Sequence, residues 1–393
     1  MAEPTSPLQS SGVTSFQNEW SVLLECASPA CDPRRLAELL ESVDWARLLA
    51  LAEEHGVEGH LAASLRERER ALVPPEIRQR LADGKRAQTF FTLRLNAELF
   101  WLLEKFRANG IGAVVVKGPV LAVQAYGDPA RRRYGDLDLL VRQHDIHRAT
   151  ELMSAAGFAP AVPLSAIDAG KIPGQYLFSK PDSKLLVELH NDFTLRYFPR
   201  RLPLEEFLAR QILVRVDAHD VPALSVEDEL VLICIHGAKH FWERLMWIAD
   251  VAALVSRQTS MDWQRLADTA SAVKAERMLH TGLRLVADLL KLQLPGKVQA
   301  AVQADAMAAR LAKQCCKWMP AAGNAPPGLF ERAAFRLRMR GGLLSAPAYL
   351  LRLSFSPTEE DWNESQPGSH RGVLDAIRRP FRLARKYGRD NKE

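Results

Sequence analysis

The chain has 393 residues, of which 47% are hydrophobic and 25% are charged, and its net charge is +5 at pH 7. This composition allows a large buried core divided into two or three regions, while the mild charge lacks the concentrated basic groove of a dedicated nucleic-acid binder. The polar N-terminal residues lack the features of a signal peptide, and no run approaches the roughly 18 apolar residues of a membrane span. The five cysteines form no CxxC pairs. We therefore expect a cytoplasmic protein.

The first hundred residues show helical patterns. Residues 1–14 are polar and are predicted to be disordered, and residues 15–108 are predicted to form an N-terminal helical region. Asp44 is predicted to cap one of these helices. A later amphipathic segment, residues 86–107, is predicted to place six apolar side chains on one side: Phe90, Phe91, Leu95, Leu99, Leu102 and Phe106.

The pattern changes at Asn109-Gly110 and predicts a small α/β region over residues 109–224. The β-branched run 111–116 predicts a buried strand, and Pro119 suits the first turn of a helix that follows it. Residues 136–141 predict a second strand. The segments 175–179 and 184–190 predict the two arms of a hairpin.

Residues 225–393 are predicted to form a C-terminal helical region with a basic tail. Ser225 begins a capping-box-like start, and helical patterns continue to about residue 292. From Arg371 onward the chain has eight Lys or Arg residues against three Asp or Glu residues. The predicted fold class is therefore α+β, with a small mixed sheet flanked by helical regions on both sides.

Two carboxylates on the second predicted strand are the strongest chemical signal. Asp136 and Asp138 are two residues apart, so a strand places both on one face and turns Leu137 to the other. Carboxylates so close repel each other unless a cation lies between them, and Mg²⁺ prefers such oxygen ligands. The alternative interpretation is an acidic surface pair.

Neighbouring residues favour a phosphate site. Gly118 follows a buried strand and opens a helix, whose free N–H groups attract phosphate, and Lys117 adds a cation there. Arg133 lies close to Asp136 along the chain, and Glu188 supplies a third carboxylate if its strand lies beside the Asp136 strand. Three carboxylates, a glycine turn and cations are typical of phosphoryl or nucleotidyl transfer.

These motifs together resemble a known family. The resemblance covers residues 35–390 and rests on Val116-Lys117-Gly118, Tyr126-Gly127-Asp128-Pro129, Arg133, Gly135-Asp136-Leu137-Asp138-Leu139-Leu140-Val141, Val187-Glu188-Leu189-His190, His236-Gly237-Ala238-Lys239-His240, Trp242-Glu243-Arg244-Leu245, Trp247-Ile248-Ala249-Asp250-Val251, Asp44-Trp45, Pro357-Thr358 and Asp361-Trp362. The chain resembles the bacterial uncharacterised nucleotidyltransferase family of the DNA polymerase β superfamily.

The resemblance implies a catalytic palm in which Asp136, Asp138 and Glu188 hold Mg²⁺ or Mn²⁺ and carry the catalysis. Lys117, Gly118 and Arg133 would bind the nucleotide. The sequence Lys117-Gly118-Pro119 departs from the superfamily's Gly-Ser turn, since no hydroxyl follows the glycine.

Three histidines are candidate substrate-side residues. His190 follows Glu188 on the same strand face, and His236 and His240 share one helix face. The spacing of His236 and His240 also occurs in zinc sites, but no HExxH glutamate separates them, and core or hydrogen-bonding roles are the alternative.

The predicted function is metal-dependent transfer of a nucleoside monophosphate from an NTP to a hydroxyl or phosphate on a small molecule, peptide or protein. Two alternatives stay open. The first is a catalytically silent nucleotide-binding or adaptor protein, and the second is transfer of another phosphorylated group in natural-product or polysaccharide assembly. Nucleic acid is not an expected partner.

Overall fold

A computed structural model describes residues 17–65, 72–129, 131–168, 174–181, 185–191, 203–319 and 327–340. The disordered start expected over residues 1–14 and the basic tail expected from Arg371 lie outside these ranges. So do the motif residues 357, 358, 361 and 362. None of the described helices is long and apolar enough to cross a bilayer.

The N-terminal region consists of helices α1 Gln17–Ala27, α2 Pro33–Leu40, α3 Trp45–His55, α4 Glu58–Ser64 and α5 Pro75–Ala108. The predicted cap at Asp44 is confirmed, since its carboxylate accepts the backbone N–H of Arg47 at 3.1 Å.

Helix α5 is one continuous helix of 34 residues. Leu95, Leu99, Leu102 and Phe106 are buried along it as predicted. The placement of Phe90 on this side was wrong, because its side chain is 72% exposed. The buried positions are three or four residues apart, and Phe90 lies two residues before the next buried position, Thr92, so it faces away from the stripe.

The central sheet has seven strands: β1 Ala113–Val116, β2 Asp136–Val141, β3 Ala159–Pro160, β4 Gln175–Lys180, β5 Leu185–His190, β6 Ile212–Val216 and β7 His219–Ala223. Their order across the sheet is β3-β4-β5-β2-β1-β7-β6. Strands β2 and β5 are parallel, as are β1 and β7, and the other neighbouring pairs are antiparallel. The β4–β5 hairpin confirms a prediction, whereas the β6–β7 hairpin was not predicted.

The helices between strands are α6 Gly118–Tyr126, α7 Ile146–Ala155, α8 Leu164–Asp168 and α9 Leu204–Ala209. The C-terminal helices are α10 Val226–Lys239, α11 Leu245–Arg257, α12 Trp263–Ala272, α13 Glu276–Leu290, α14 Gly296–Ala304, α15 Ala306–Trp318 and α16 Leu329–Arg340. Ser225 caps α10 as predicted, and Gly157 follows α7 with a φ of 83°. The predicted α+β fold, with helical regions on both sides of the sheet, is confirmed.

The two faces of the sheet contribute to two different cores. Leu137, Leu139 and Val141 of β2 pack with the apolar stripe of α5. Leu140 of β2 instead joins the larger core that contains α10, α11 and α13. Asp136 and Asp138 share the Leu140 face by the period-2 geometry of a strand. The carboxylates therefore lie on the face of the sheet that packs against the C-terminal helices.

Candidate active site

A cleft of about 660 Å³ lies where the carboxylate face of the sheet meets α10 and α11. Its sheet side includes Lys117, Gly118, Asp136, Asp138, Glu188 and His190, and its helical side includes His236, Lys239, His240, Glu243 and Trp247. Arg132 and Arg133 also line it. The cleft thus collects every residue proposed from the sequence as catalytic, nucleotide-binding or substrate-side.

The three carboxylates lie on two neighbouring strands. Strands β2 and β5 pair in parallel, and Asp138 is directly opposite Glu188. Asp136 lies two residues before Asp138, on the same face of β2, and is partly exposed. Burial, together with the nearby charge of Asp138, raises the pKa of Asp136. The Glu188 strand thus lies beside the Asp136 strand, which is the condition set from the sequence for Glu188 to supply a third carboxylate.

Asp138 lies between the ammonium group of Lys117 and the imidazole ring of His190. Its Oδ1 is 2.8 Å from Nε2 of His190, and its Oδ2 is 3.0 Å from Nζ of Lys117. Burial by itself would raise the pKa of Asp138, but the Lys117 charge and the His190 hydrogen bond outweigh it and lower that pKa far below its usual range. Asp138 is thus held ionised although its side chain is only 4% exposed.

His190 links the two strands through their carboxylates. Its Nε2 is also 3.3 Å from Oε2 of Glu188. Burial lowers the pKa of His190, while hydrogen bonds to Asp138 and Glu188 raise it, and the net direction is upward. The side-chain amide of Gln175, on β4, donates to Glu188 as well. These contacts hold the Glu188 side chain against β2.

Lys117 has a backbone conformation that few residues other than glycine adopt, with φ 55° and ψ −136°. Its backbone N–H donates to Oε1 of Glu229 at 2.8 Å, and Glu229 is fully buried on α10. The strained turn directs the side chain of Lys117 back to Asp138 and leaves Gly118 as the first residue of α6. Glu229 was not predicted as part of the site, because the residues around it indicate only the first turn of a helix.

A second contribution missed from the sequence is the buried network of Arg132. Its Nε is 3.0 and 2.9 Å from the two carboxylate oxygens of Asp250, on α11. The hydroxyl of Tyr126 donates to the same carboxylate at 2.9 Å. Arg133, which we selected from the sequence, lines the cleft but pairs with Glu58 at 2.8 Å and is half-exposed. Arg132 is therefore the more rigidly held cation of the two.

One group of described residues presents metal-ligand atoms close together. Single atoms of Asp138, Glu188 and His190 lie within 4.8 Å of one another, and Asp136 is not part of that group. Carboxylate oxygens suit Mg²⁺, and a set that includes an imidazole nitrogen also suits Mn²⁺. Burial raises the pKa of Asp136 and the charge of Asp138 raises it further, and a cation in the cleft would relieve this repulsion. The donor set therefore fits a divalent ion of this kind.

The helical wall of the cleft carries three aromatic rings. The ring centroids of His236 and His240 are 4.7 Å apart, and Trp247 lies 5.4 Å from the first and 5.2 Å from the second. Burial lowers the pKa of both histidines, to about 3 for His240, so both imidazoles are neutral near pH 7. We name this group the ring cluster.

The turn between α10 and α11 positions the ring cluster. Phe241 and Trp242 both have positive φ values, 59° and 53°. This costly turn is held by the fully buried Trp242, whose ring packs against Gly237 and Gly282 with no room for a Cβ at either glycine. The chain thereby reverses so that residues before and after the turn face the same cleft.

The model of the family described as "Uncharacterised nucleotidyltransferase" matches residues 41–291. The chain belongs to this family. The matched range contains every residue of the cleft described above. No curated protein matches the chain. Among solved structures, the chain is similar to an antigenic nucleotidyltransferase-like protein from Paracoccidioides brasiliensis, at 16% identity and a TM-score of 0.33, over 55% of this chain and 92% of that one.

Proposed function

We propose that the protein transfers a nucleoside monophosphate from an NTP to a hydroxyl or phosphate acceptor on a small molecule, peptide or protein, with Mg²⁺ or Mn²⁺ as cofactor. The observation that carries the proposal is the pairing of Asp138 with Glu188 across two strands, beside Asp136 and the start of α6. Family membership supports the reaction class.

The chain's own residues supply binding and proton transfer. The N–H groups at the start of α6 and the charges of Lys117 and Arg132 bind the phosphates and stabilise negative charge as it develops. Asp136 would accept the proton of an acceptor hydroxyl, and its partial exposure and raised pKa support this role. Asp138 and Glu188 would hold the divalent ion, which when bound neutralises phosphate charge.

Pyrophosphate release from each of the four NTPs, with Mg²⁺ and lysate fractions as acceptors, tests the proposal. We expect release with the wild-type protein, and a loss of at least about 100-fold in Asp136→Asn and Asp138→Asn, as for removal of a group that acts in the transition state. Asp220→Asn, an exposed carboxylate on β7, is the matched control. Equal release by the wild type and both active-site variants would overturn the assignment.

A second candidate function is nucleotide binding without turnover. The observation that favours it is the Lys117–Asp138 ion pair, because a carboxylate already neutralised by a lysine binds a metal ion less readily. Calorimetry separates the two functions: NTP binding with no pyrophosphate release over a broad acceptor panel would support this second candidate.

A further inference from the structure

The ring cluster and the phosphate-binding groups line the same cleft. Lys117, Gly118 and Arg132 lie on its sheet side, and His236, His240 and Trp247 on its helical side. A ligand that fills the cleft therefore meets cations at one wall and aromatic rings at the other. The volume of about 660 Å³ is that of a site for a small organic molecule.

We infer that the ring cluster is the site for the nucleobase of the donor nucleotide, which stacks on Trp247 and His240. This inference rests on the proposed function and specifies one part of that site. A nucleotide carries both a polyphosphate and a planar heteroaromatic ring, so one molecule satisfies both walls. Base–aromatic stacking tolerates any base, because every base has a π face.

The electrostatics of the ring cluster agree with this assignment. Both histidines are neutral, so they present ring surfaces, where charged imidazoles would attract phosphate instead. Trp247 is partly exposed, as a stacking platform must be.

The experiment compares a ligand with a base and one without. Calorimetry measures binding of a non-hydrolysable ATP analogue and of inorganic tripolyphosphate, each with Mg²⁺, to the full-length protein. In Trp247→Leu and His240→Leu we expect affinity for the analogue to fall about 10-fold or more, the range that loss of one stacked ring gives. Affinity for tripolyphosphate should change less than about twofold, which also shows that each variant is folded.

Two further variants make the result specific. Trp247→Phe keeps a ring and should bind the analogue nearly as well as the wild type, while losing any quenching of Trp247 fluorescence that the analogue causes. Trp263→Leu removes a half-buried tryptophan on α12, outside the described lining of the cleft, and should leave both affinities unchanged.

The outcomes separate this inference from the proposed function. A wild-type protein that binds the analogue no better than tripolyphosphate, or a Trp247→Leu variant that loses both ligands equally, would overturn the base site alone. A wild-type protein that binds neither ligand would overturn the proposed function and the base site with it.

Discussion

The buried ion pair of Arg132 and Asp250 allows a quantitative test of how the cleft is held together. The two side chains are 6% and 2% exposed, and Tyr126 donates to the same carboxylate. Asp250→Ala would leave the Arg132 guanidinium buried without its counter-ion, which costs about 3–5 kcal/mol. That is a large part of a typical unfolding free energy of about 5–15 kcal/mol. Urea unfolding followed by circular dichroism measures the loss.

Two controls decide whether the cost comes from the charge. Arg215 and Asp220 form a pair whose side chains are 62% and 58% exposed, so Asp220→Ala should cost no more than about 1 kcal/mol. The double variant Arg132→Met/Asp250→Leu removes both charges, and we expect it to recover most of the stability. If Asp250→Ala cost no more than Asp220→Ala, or the double variant recovered nothing, the account of this network would be wrong.

Three further predictions concern the rest of the site. Burial raises the pKa of Glu229 to about 7, so its contribution to stability is complete below about pH 4.3 and is lost as the pH rises through about 7. Between pH 4.3 and 8 the unfolding free energy of the wild type, measured in urea, should fall by about 3 kcal/mol relative to that of Glu229→Gln. A difference between the two proteins that stays constant with pH would refute this. Gly237→Ala should cost about 1–3 kcal/mol because its Cβ would lie 2.6 Å from the Trp242 ring, whereas Gly296→Ala, with nothing within 4 Å, should be neutral in the same assay. Removal of divalent ions with EDTA should abolish pyrophosphate release and Mg²⁺ or Mn²⁺ should restore it; release that persists in EDTA would contradict a metal-dependent reaction.

The sequence predicted best those features that depend on local pattern. Strand β2, the β4–β5 hairpin and the shared face of Asp136 and Asp138 follow from alternation over a few residues. Helix caps at Asp44 and Ser225 follow from side-chain oxygens at known positions. The pairing of β2 with β5 could not be predicted in this way, because the residue pattern of a strand does not specify which strand lies beside it.

The partners missed from the sequence come from distant segments. Glu229 is 112 residues from Lys117, and Asp250 is 118 residues from Arg132. Nothing near Arg132 distinguishes it from Arg131 and Arg133, since all three belong to one basic run. Only the packing of α11 on α6 buries one arginine of the three and gives it a carboxylate.

The setting of the carboxylates also depends on a residue that is distant in sequence, Glu229 of the C-terminal helices. Asp138 is ionised in a buried setting because Lys117 lies against it, and Lys117 is held there by a strained backbone whose N–H is bound by Glu229 of α10. His236 of the ring cluster lies on the same helix, about two turns beyond Glu229, and His240 is the residue that follows the helix end. Helix α10 therefore holds the backbone of Lys117 through Glu229 and contributes His236 to the opposite wall of the cleft. A displacement of α10 would therefore change the contact of Glu229 with Lys117 and the position of His236 together.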